Sequence, residues 1–274
     1  MEQPPTAAGQ PAQPSASAGA PEGVSVDPRE IDKFARMAES WWDPDGEMKP
    51  LHALNPVRVG YIRDRLAAHF DRAGTPGTGT PGESFHPLRG LEVLDVGCGA
   101  GLLAEPLARL GASVTGIDAA AEAVKAGRAH ADLQGLEIDY RVGTVEALAE
   151  TGRQFDAVTI MEVIEHVPDV DAFLGTCGRL VRPGGLAVVS SVNRTAKSFL
   201  LAKVGAEYVL GWLPRGTHDW RRFVKPSEAA RGLRAGGLRV AEVTGVVFDP
   251  LNGWQTARDS DVNYMVLAEK PAHG

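Results

Sequence analysis

The chain has 274 residues and a formal net charge of -7 at pH 7. This length accommodates one sizeable α/β domain with additions. The acidic balance argues against a general nucleic-acid binder, which needs a basic surface. No apolar run reaches the roughly 18 residues of a membrane-spanning helix, so any membrane contact is expected to be peripheral. Cys98 and Cys177 lack metal-type spacing, and without a secretion signal we expect reduced thiols in a cytoplasmic protein.

Composition divides the chain into four predicted parts. Residues 1–26 are rich in Pro, Ala, Gly and Ser and contain no Lys or Arg, which predicts a disordered tail. An N-terminal helical segment is predicted over 27–72. A flexible insertion rich in Gly and Pro is predicted over 73–87. The main domain is predicted to occupy 88–271.

Hydrophobic patterning gives the predicted elements in chain order. Helices are predicted at 28–42 and 57–70 in the N-terminal segment. Beyond residue 90, strands are predicted at 91–96, 113–117, 137–142, 155–161 and 186–192, and helices at 102–110, 120–131 and 170–180. This alternation predicts a doubly wound, mostly parallel α/β sheet. Two β-rich stretches, 239–248 and 262–270, are joined by a polar loop and predict a closing antiparallel pair.

The most specific motif is Asp-Val-Gly-Cys-Gly-Ala-Gly at residues 95–101. Alternating glycines let a backbone turn sharply and approach a ligand closely. Asp118 ends the next strand, where an acid suits ribose hydroxyls. The glycine spacing departs from the dinucleotide fingerprint G-x-G-x-x-G, and Asp95 would repel a pyrophosphate but suit an ammonium group. For the glycines alone, a turn without a ligand is the alternative; the two acids favour S-adenosylmethionine, which has an ammonium, a ribose and no phosphate.

A second cluster, Met-Glu-Val-Ile-Glu-His-Val-Pro at residues 161–168, follows a predicted strand at the edge where ligands bind. His166 can act as the base in methyl transfer to a hydroxyl, and Glu162 can orient it. Glu162, Glu165 and His166 are also a candidate Mg²⁺ set, because oxygen ligands suit that ion and it would acidify a bound phenol. A capping and loop-stabilising cluster is the alternative.

Three further features bear on the identity of the methyl acceptor. Trp41 and Trp42 are adjacent in a polar stretch and are expected to cover the cofactor edge or substrate mouth, or to fill the core. Arg58 can hold a cofactor carboxylate through a bidentate pair, although a surface arginine is the alternative. Residues 193–225 form an apolar and basic insertion, whose most apolar part, 198–213, is expected to meet a membrane interface, to wall a lipid pocket, or to pack as a buried helix.

The motif at 95–101 together with Asp118 resembles motif I of the class I methyltransferases that use S-adenosylmethionine. Other blocks extend the resemblance over about residues 28–270: Trp-Trp-Asp-Pro at 41–44, Pro-Leu-His-Ala-Leu-Asn-Pro-Val-Arg at 50–58, Met-Glu-Val-Ile-Glu-His-Val at 161–167 and Asp-Val-Asn-Tyr-Met at 261–265. Together they look like the bacterial ubiquinone-biosynthesis O-methyltransferases. The loop at 252–260 does not match those blocks.

The resemblance carries expectations about the site. It implies the class I methyltransferase fold and S-adenosylmethionine as cofactor, with five cofactor-binding positions: Arg58, Gly97, Gly99, Asp118 and Met161. It places Ala119 near the adenine, and it places Thr144 where many such enzymes have an acid against the adenine amine. On its basis His166 and Glu162 are the catalytic candidates, and Glu162, Glu165 and His166 are the Mg²⁺ candidates.

The resemblance also implies the partners. The expected acceptors are a 2-polyprenyl-6-hydroxyphenol and a demethylubiquinol, and both O-methylation steps are expected from one enzyme. Peripheral contact with the inner face of the cytoplasmic membrane and membership of a biosynthetic complex fit such acceptors. Three alternatives stay open: a methyltransferase of another phenolic or lipid-like molecule, a nicotinamide-dependent oxidoreductase, and a cofactor-binding scaffold without catalysis.

Overall fold

The computed structural model describes residues 26–71, 86–200 and 220–272. These residues form an eight-stranded sheet in the order β3-β2-β1-β4-β5-β8-β6-β7. The first five strands in that order are parallel, whereas β8 lies between β5 and β6 and runs antiparallel to both. Strand β7 pairs antiparallel with β6 at the sheet edge. The predicted doubly wound, mostly parallel fold with an antiparallel closing region is confirmed.

The strands vary in length from four to twelve residues. Their bounds are β1 Glu92–Val96, β2 Ser113–Asp118, β3 Asp139–Val142, β4 Phe155–Met161, β5 Val181–Val192, β6 Arg239–Asp249, β7 Gly253–Ala257 and β8 Asn263–Glu269. The helices are α1 Pro28–Met37, α2 Lys49–His69, α3 Ala104–Arg109, α4 Ala121–Leu133, α5 Val145–Glu150, α6 Val170–Leu180, α7 Ala196–Ser198 and α8 Pro226–Ala235.

Three differences from the sequence prediction have physical causes. The second helix begins at Lys49 rather than at residue 57, and Pro56 lies inside it. Proline usually ends a helix, so the sequence analysis placed the boundary eight residues, about two turns, too late. The polar loop expected between the last two strands contains β7, which extends β6 into a hairpin. Helices α5, α7 and α8 were not predicted; α5 and α7 have only six and three residues, too few to show a helical period.

Three long segments lie outside the described residues. The predicted tail is among them except for residue 26, as is most of the predicted insertion at 73–87. The same holds for 201–219, which contains most of the apolar stretch. Among the described helices, none is long and apolar enough to cross a membrane.

Packing brings the N-terminal helices over the carboxyl edge of the sheet. Helix α2 is anchored at its far end, where Arg65 makes a two-bonded ion pair with Glu242 of β6 at 2.9 Å. On the same helix, Arg58 is buried and faces the loops after β1 and β4. The helix therefore delivers a charged side chain into the edge where parallel strands bind ligands.

Candidate active site

The glycine loop after β1 is a tight cradle. Gly97, Gly99 and Gly101 have φ values of 67°, 52° and 91°, a region that residues with a side chain seldom adopt. A Cβ on Gly99 would lie 2.2 Å from Cζ2 of Trp41, and one on Gly97 would lie 2.4 Å from Cγ2 of Val163. The backbone is thus packed so closely against its neighbours that only glycine fits at these positions.

Asp118 closes β2 directly beside this loop. One carboxylate oxygen accepts a hydrogen bond from the Gly99 backbone N–H at 2.9 Å, and the other accepts from Ala120 N–H at 2.8 Å. Burial raises the pKa of Asp118, and these backbone donors oppose the rise. The carboxylate is therefore held in place as an acceptor at the edge of the cleft, as ribose binding requires.

Asp95 lies deeper, at the base of the same loop. It is buried, and its Oδ1 accepts a hydrogen bond from the Thr159 hydroxyl at 2.8 Å. Burial raises its pKa from the ordinary 3.8 to about 7. A carboxyl group in this state gains from a cationic partner, because a nearby positive charge favours the ionised form.

Two connected chambers make up the cleft. The larger is lined by Asp118, Ala119, Thr144 and Glu146 on one side and by His166 on the other. The smaller is lined by Arg58 and Asp95 among others. Trp41, Leu51, Gly97 and Met161 line both chambers, which makes them one continuous site.

Arg58 and Glu162 form a buried ion pair in this cleft. Arg58 Nη2 lies 2.9 Å from Glu162 Oε1, with side-chain exposures of 8% and 16%. The same oxygen accepts a hydrogen bond from the Ser190 hydroxyl at 2.7 Å. Glu162 has a φ of 56°, so the backbone at the end of β4 is strained. Strain of this kind is retained where the surrounding structure needs the side chain in one place.

Glu165 has a hydroxyl partner different from that of Glu162. It is buried, and its Oε2 accepts a hydrogen bond from the Ser191 hydroxyl at 2.8 Å. Burial, with a smaller contribution from the Glu162 charge, raises its pKa from 4.5 to about 7.

His166 faces the N-terminal helix across the cleft. Its Nδ1 lies 3.0 Å from Oε2 of Glu30 in α1, and its ring meets the Phe34 ring edge-on at 5.2 Å between centroids. The hydrogen bond to His166 lowers the pKa of Glu30 to about 2. Arg222 also binds Glu30, at 2.6 Å. Glu30 is thus an ionised carboxylate that orients the imidazole.

The predicted Mg²⁺ set does not converge in this structure. Glu162 is engaged by Arg58 and Ser190, Glu165 by Ser191, and His166 by Glu30. Among the residues that the structure describes, no three His, Cys, Asp or Glu side chains form a group that could hold a metal ion. The arrangement does not fit the ion, and Mg²⁺ binding stays a prediction.

The structure separates the two adjacent tryptophans. Trp41 lies against the glycine loop and lines the cleft. Trp42 instead stacks on His130 of α4, with 3.6 Å between ring centroids, and its Nε1–H donates to the Ala100 carbonyl at 3.1 Å. Only Trp41 can cover a ligand; Trp42 fastens the segment after α1 to the sheet domain.

Sequence reasoning missed two acids of the cleft. Glu30 belongs to an exposed-looking helix, and only the i, i+4 pair that it forms with Phe34 hints at a common face. Glu146 follows β3 in the first turn of α5 and lines the larger chamber. Thr144, at the position expected for an acid, caps α5 by accepting from the Ala147 N–H at 3.4 Å.

The chambers fit S-adenosylmethionine by the chemistry of their walls. Asp118 at the larger chamber provides acceptors for ribose hydroxyls. The smaller chamber pairs an arginine with a carboxyl group that gains from a cation, which matches the carboxylate and the ammonium of an amino acid. Gly97, Gly99 and Gly101 have no side chain, which lets a ligand approach the backbone of the loop closely.

Comparison with known proteins identifies the class of protein to which this fold belongs. Residues 94–189 match a family profile described as a methyltransferase domain. The fold is similar to that of magnesium protoporphyrin IX methyltransferase from Synechocystis PCC 6803, solved with bound SAM. The TM-score is 0.58 at 18% identity, over 93% of this chain and 100% of that one. A methyltransferase from Clostridium acetobutylicum gives a TM-score of 0.57 at 14% identity, over 88% and 98%. Fold and site together define an S-adenosylmethionine-dependent methyltransferase.

Close relatives narrow this class. A protein of Methylocella silvestris is 56% identical over 90% of this chain and 95% of its own length. Another, of Methylobacterium sp. strain 4-46, is 52% identical over 92% of this chain and 99% of its own length. Both are named ubiquinone biosynthesis O-methyltransferase. The chain belongs to this family of O-methyltransferases.

Proposed function

We propose that the chain methylates the phenolic oxygen of polyprenylated intermediates of ubiquinone synthesis, namely a 2-polyprenyl-6-hydroxyphenol and a demethylubiquinol. The names of the relatives support the pathway. The observation that carries the proposal is the continuous cleft, in which His166 lines the same chamber as Asp118 and Met161. A base thus stands in the chamber that the cofactor's nucleoside would occupy.

Each of the proposed residues has one task. Arg58, Asp95 and the glycine loop hold the amino-acid end of the cofactor, while Asp118 holds the ribose. Met161 packs against the cofactor between the two chambers. Glu162 keeps Arg58 aligned through the ion pair at 2.9 Å. The bound cofactor supplies an electrophilic methyl group on a sulfonium.

His166 acts as the proposed base. Its Nδ1 is taken up by Glu30, which leaves Nε2 to accept the proton of a phenol in the cleft. The phenolic oxygen then forms its bond to the methyl carbon as the bond from that carbon to sulfur breaks. An ionised Glu30 stabilises the imidazolium that this proton transfer produces, as a carboxylate does in other histidine pairs.

A methyl-transfer assay tests the function. The purified chain is given S-adenosylmethionine and a short-chain demethylubiquinol, and the product is identified by mass. We expect H166Q to lower kcat by about a hundredfold or more, since positioned bases contribute at this level. H86Q, before β1 and away from the cleft, is the matched control. Unchanged turnover in both H166Q and E162Q would remove the catalytic roles and favour a scaffold.

Two additions to the assay address the open alternatives. A chelator arm, with Mg²⁺ restored afterwards, tests the predicted metal. Calorimetric titration with S-adenosylhomocysteine and with NADH tests the cofactor, and binding of NADH alone would overturn the methyltransferase proposal.

Membrane contact through 198–213 is proposed as the route to a polyprenyl tail. At the start of this stretch, Phe199 and Leu200 are 39% and 59% exposed. Exposed apolar side chains suit a lipid interface. Flotation with liposomes of anionic lipid is expected, and failure of the intact chain to float would refute the contact.

A further inference from the structure

The Glu30 carboxylate joins two side chains that come from distant parts of the chain. Its Oε2 lies 3.0 Å from Nδ1 of His166, and its Oε1 accepts a hydrogen bond from Nη1 of Arg222 at 2.6 Å. Lys33 also lies near this carboxylate, but at 3.9 Å it is beyond hydrogen-bond distance. The bond from Arg222 therefore fixes one oxygen of Glu30 while the other oxygen serves the imidazole.

Arg222 belongs to a firmly anchored part of the chain. It ends a short 3₁₀-helix, Trp220–Arg222, and the two residues that follow, Phe223 and Val224, are buried. The Val224 carbonyl accepts a hydrogen bond from the Tyr264 hydroxyl of β8 at 2.9 Å. The guanidinium therefore reaches α1 from a backbone that is attached to the sheet.

The first turn of α1 is the part of the cleft wall that Arg222 holds. Its Nη2 donates to Oδ2 of Asp27, the N-cap of α1, at 3.0 Å, while Nη1 donates to Glu30. The Arg222 side chain is 42% exposed, and ion pairs at such positions contribute only about 0–1 kcal/mol to the free energy of unfolding. The two directional bonds thus fix the position of α1 and of its carboxylate more than they stabilise the fold.

We propose that Arg222 is a positioning residue for methyl transfer, which holds the Glu30 carboxylate so that His166 keeps Nε2 free for the proton of the acceptor. This inference rests on the proposed function, since it takes His166 as the base. Arg222 is not among the described residues that line either chamber, so it acts through Glu30. The hydrogen bond at one ring nitrogen decides which nitrogen can accept a proton, and a misoriented carboxylate leaves fewer molecules with a usable base.

The methyl-transfer assay on R222Q tests the proposal, with the Kd for S-adenosylhomocysteine measured beside kcat. We expect kcat to fall about tenfold, because a small misplacement of a catalytic group can cost up to about a hundredfold in rate. The Kd should stay unchanged, and R222K, which keeps a cationic donor, should recover part of the lost kcat. R231Q removes an exposed, ion-paired arginine of α8 and is the matched control. An unchanged kcat in a folded R222Q would overturn the proposal.

A double-mutant cycle separates positioning from a purely structural role. When Arg222 acts through Glu30, R222Q causes no further loss of kcat in the E30Q background. D27N removes the charge of the other partner of the guanidinium but retains a helix cap, so it should lose less kcat than R222Q. A full further loss in the E30Q background, or an equal loss in D27N, would overturn the inference by showing that Arg222 only secures α1.

H166Q in the same assay keeps the two proposals apart. A loss of turnover in H166Q without a loss in R222Q would overturn the role of Arg222 and leave the proposed function intact. Unchanged turnover in H166Q would instead overturn the base on which both depend.

Discussion

At the scale of single residues, the site contains buried ionisable groups that the opposite charges of a ligand would pair with. Asp95 is 2% exposed and accepts a hydrogen bond from the hydroxyl of Thr159. Arg58 is 6% exposed and is paired with Glu162. The Asp95 carboxyl group and the Arg58 guanidinium lie at the same small chamber, where they suit the ammonium and the carboxylate of a zwitterion. Burying these two groups costs solvation free energy, so the stability of the fold alone does not explain their position.

The Asp95 carboxyl group predicts a pH dependence of stability. Its pKa of about 7 exceeds the ordinary 3.8, so between about pH 4 and pH 7 the folded protein binds more protons than the unfolded chain. This group therefore lowers the free energy of unfolding as the pH rises through that range. We expect D95N to lose less stability than wild type between pH 5 and pH 8, measured by urea unfolding.

The pKa of Glu165 is also raised to about 7, so this group too lowers the free energy of unfolding as the pH rises. Glu165 is therefore the comparison for Asp95. E165Q should reduce the pH dependence in the same way, yet only D95N should also weaken binding of S-adenosylhomocysteine, because only Asp95 lines the smaller chamber. Identical pH profiles for D95N and wild type would contradict the burial argument.

Replacement of Gly99 by alanine is expected to create a steric clash. In G99A the methyl group would lie 2.2 Å from Cζ2 of Trp41, and the φ of 52° would be strained as well. We expect a loss of about 2–4 kcal/mol in the free energy of unfolding, from overpacking together with backbone strain. Binding of S-adenosylhomocysteine should weaken with it, because Trp41 lines both chambers.

The control for this variant is G135A in the turn after α4. Gly135 has a φ of 65°, but nothing lies within 4 Å of an added Cβ. Its loss should be only the conformational cost, about 1 kcal/mol, with unchanged ligand affinity. Equal effects of the two substitutions would show that strain alone, and not the Trp41 contact, makes Gly99 necessary.

At the scale of elements, the N-terminal helices form one wall of the cleft. Helix α1 contributes Glu30 and Phe34 and α2 contributes Arg58, whereas the sheet contributes the loops that face them. The segment after α1 is held by Trp42 on His130, and His130 Nδ1 lies 2.6 Å from the fully buried Glu105. This contact joins the wall to α4 and α3.

Replacement of His130 is therefore expected to destabilise the fold. H130A removes the stacking partner of Trp42 and leaves one buried oxygen of Glu105 without that contact. We expect a loss of about 2–4 kcal/mol, combining an unsatisfied buried acceptor with lost ring stacking. H130Q keeps a donor for Glu105 and should lose about half as much. Urea unfolding measures both, and a neutral H130A would show that Trp42 is held by its Ala100 hydrogen bond alone.

At the scale of the whole molecule, stability is unevenly distributed around the site. The central strands β4 and β5 are buried almost throughout, whereas none of the ten residues of α1 is fully buried. The cofactor would lie between these two parts. Regions with few buried contacts open locally at low free energy, and a ligand that touches them suppresses the opening.

Helix α1 should therefore be protected when ligand binds. We expect amide hydrogen exchange of residues 31–37 to slow by about tenfold or more with saturating S-adenosylhomocysteine. The edge strand β7, remote from the cleft and also able to open locally, is the internal control and should change little. Equal exchange of α1 with and without ligand would show that this helix does not cover the cofactor.

The sequence alone determined the sheet and the cofactor loop. Strand β4 and helix α6 begin and end at the predicted residues, and the three glycines and the one acid of 95–101 lie at the expected edge. These features are encoded locally, because hydrophobic period and glycine spacing act over a few neighbouring residues. Asp118 could be predicted from the sequence for the same reason, because it directly ends an apolar strand.

Only the tertiary structure decided which distant residues share the cleft. Glu30 meets His166 across 136 positions of the chain, and Trp42 meets His130 rather than a ligand. The place of Glu146 in the cleft and the dispersal of Glu162, Glu165 and His166 onto separate partners depend on packing between α1, α5 and the strand ends. Such contacts arise from long-range docking of elements, and no local pattern in a single sequence records them.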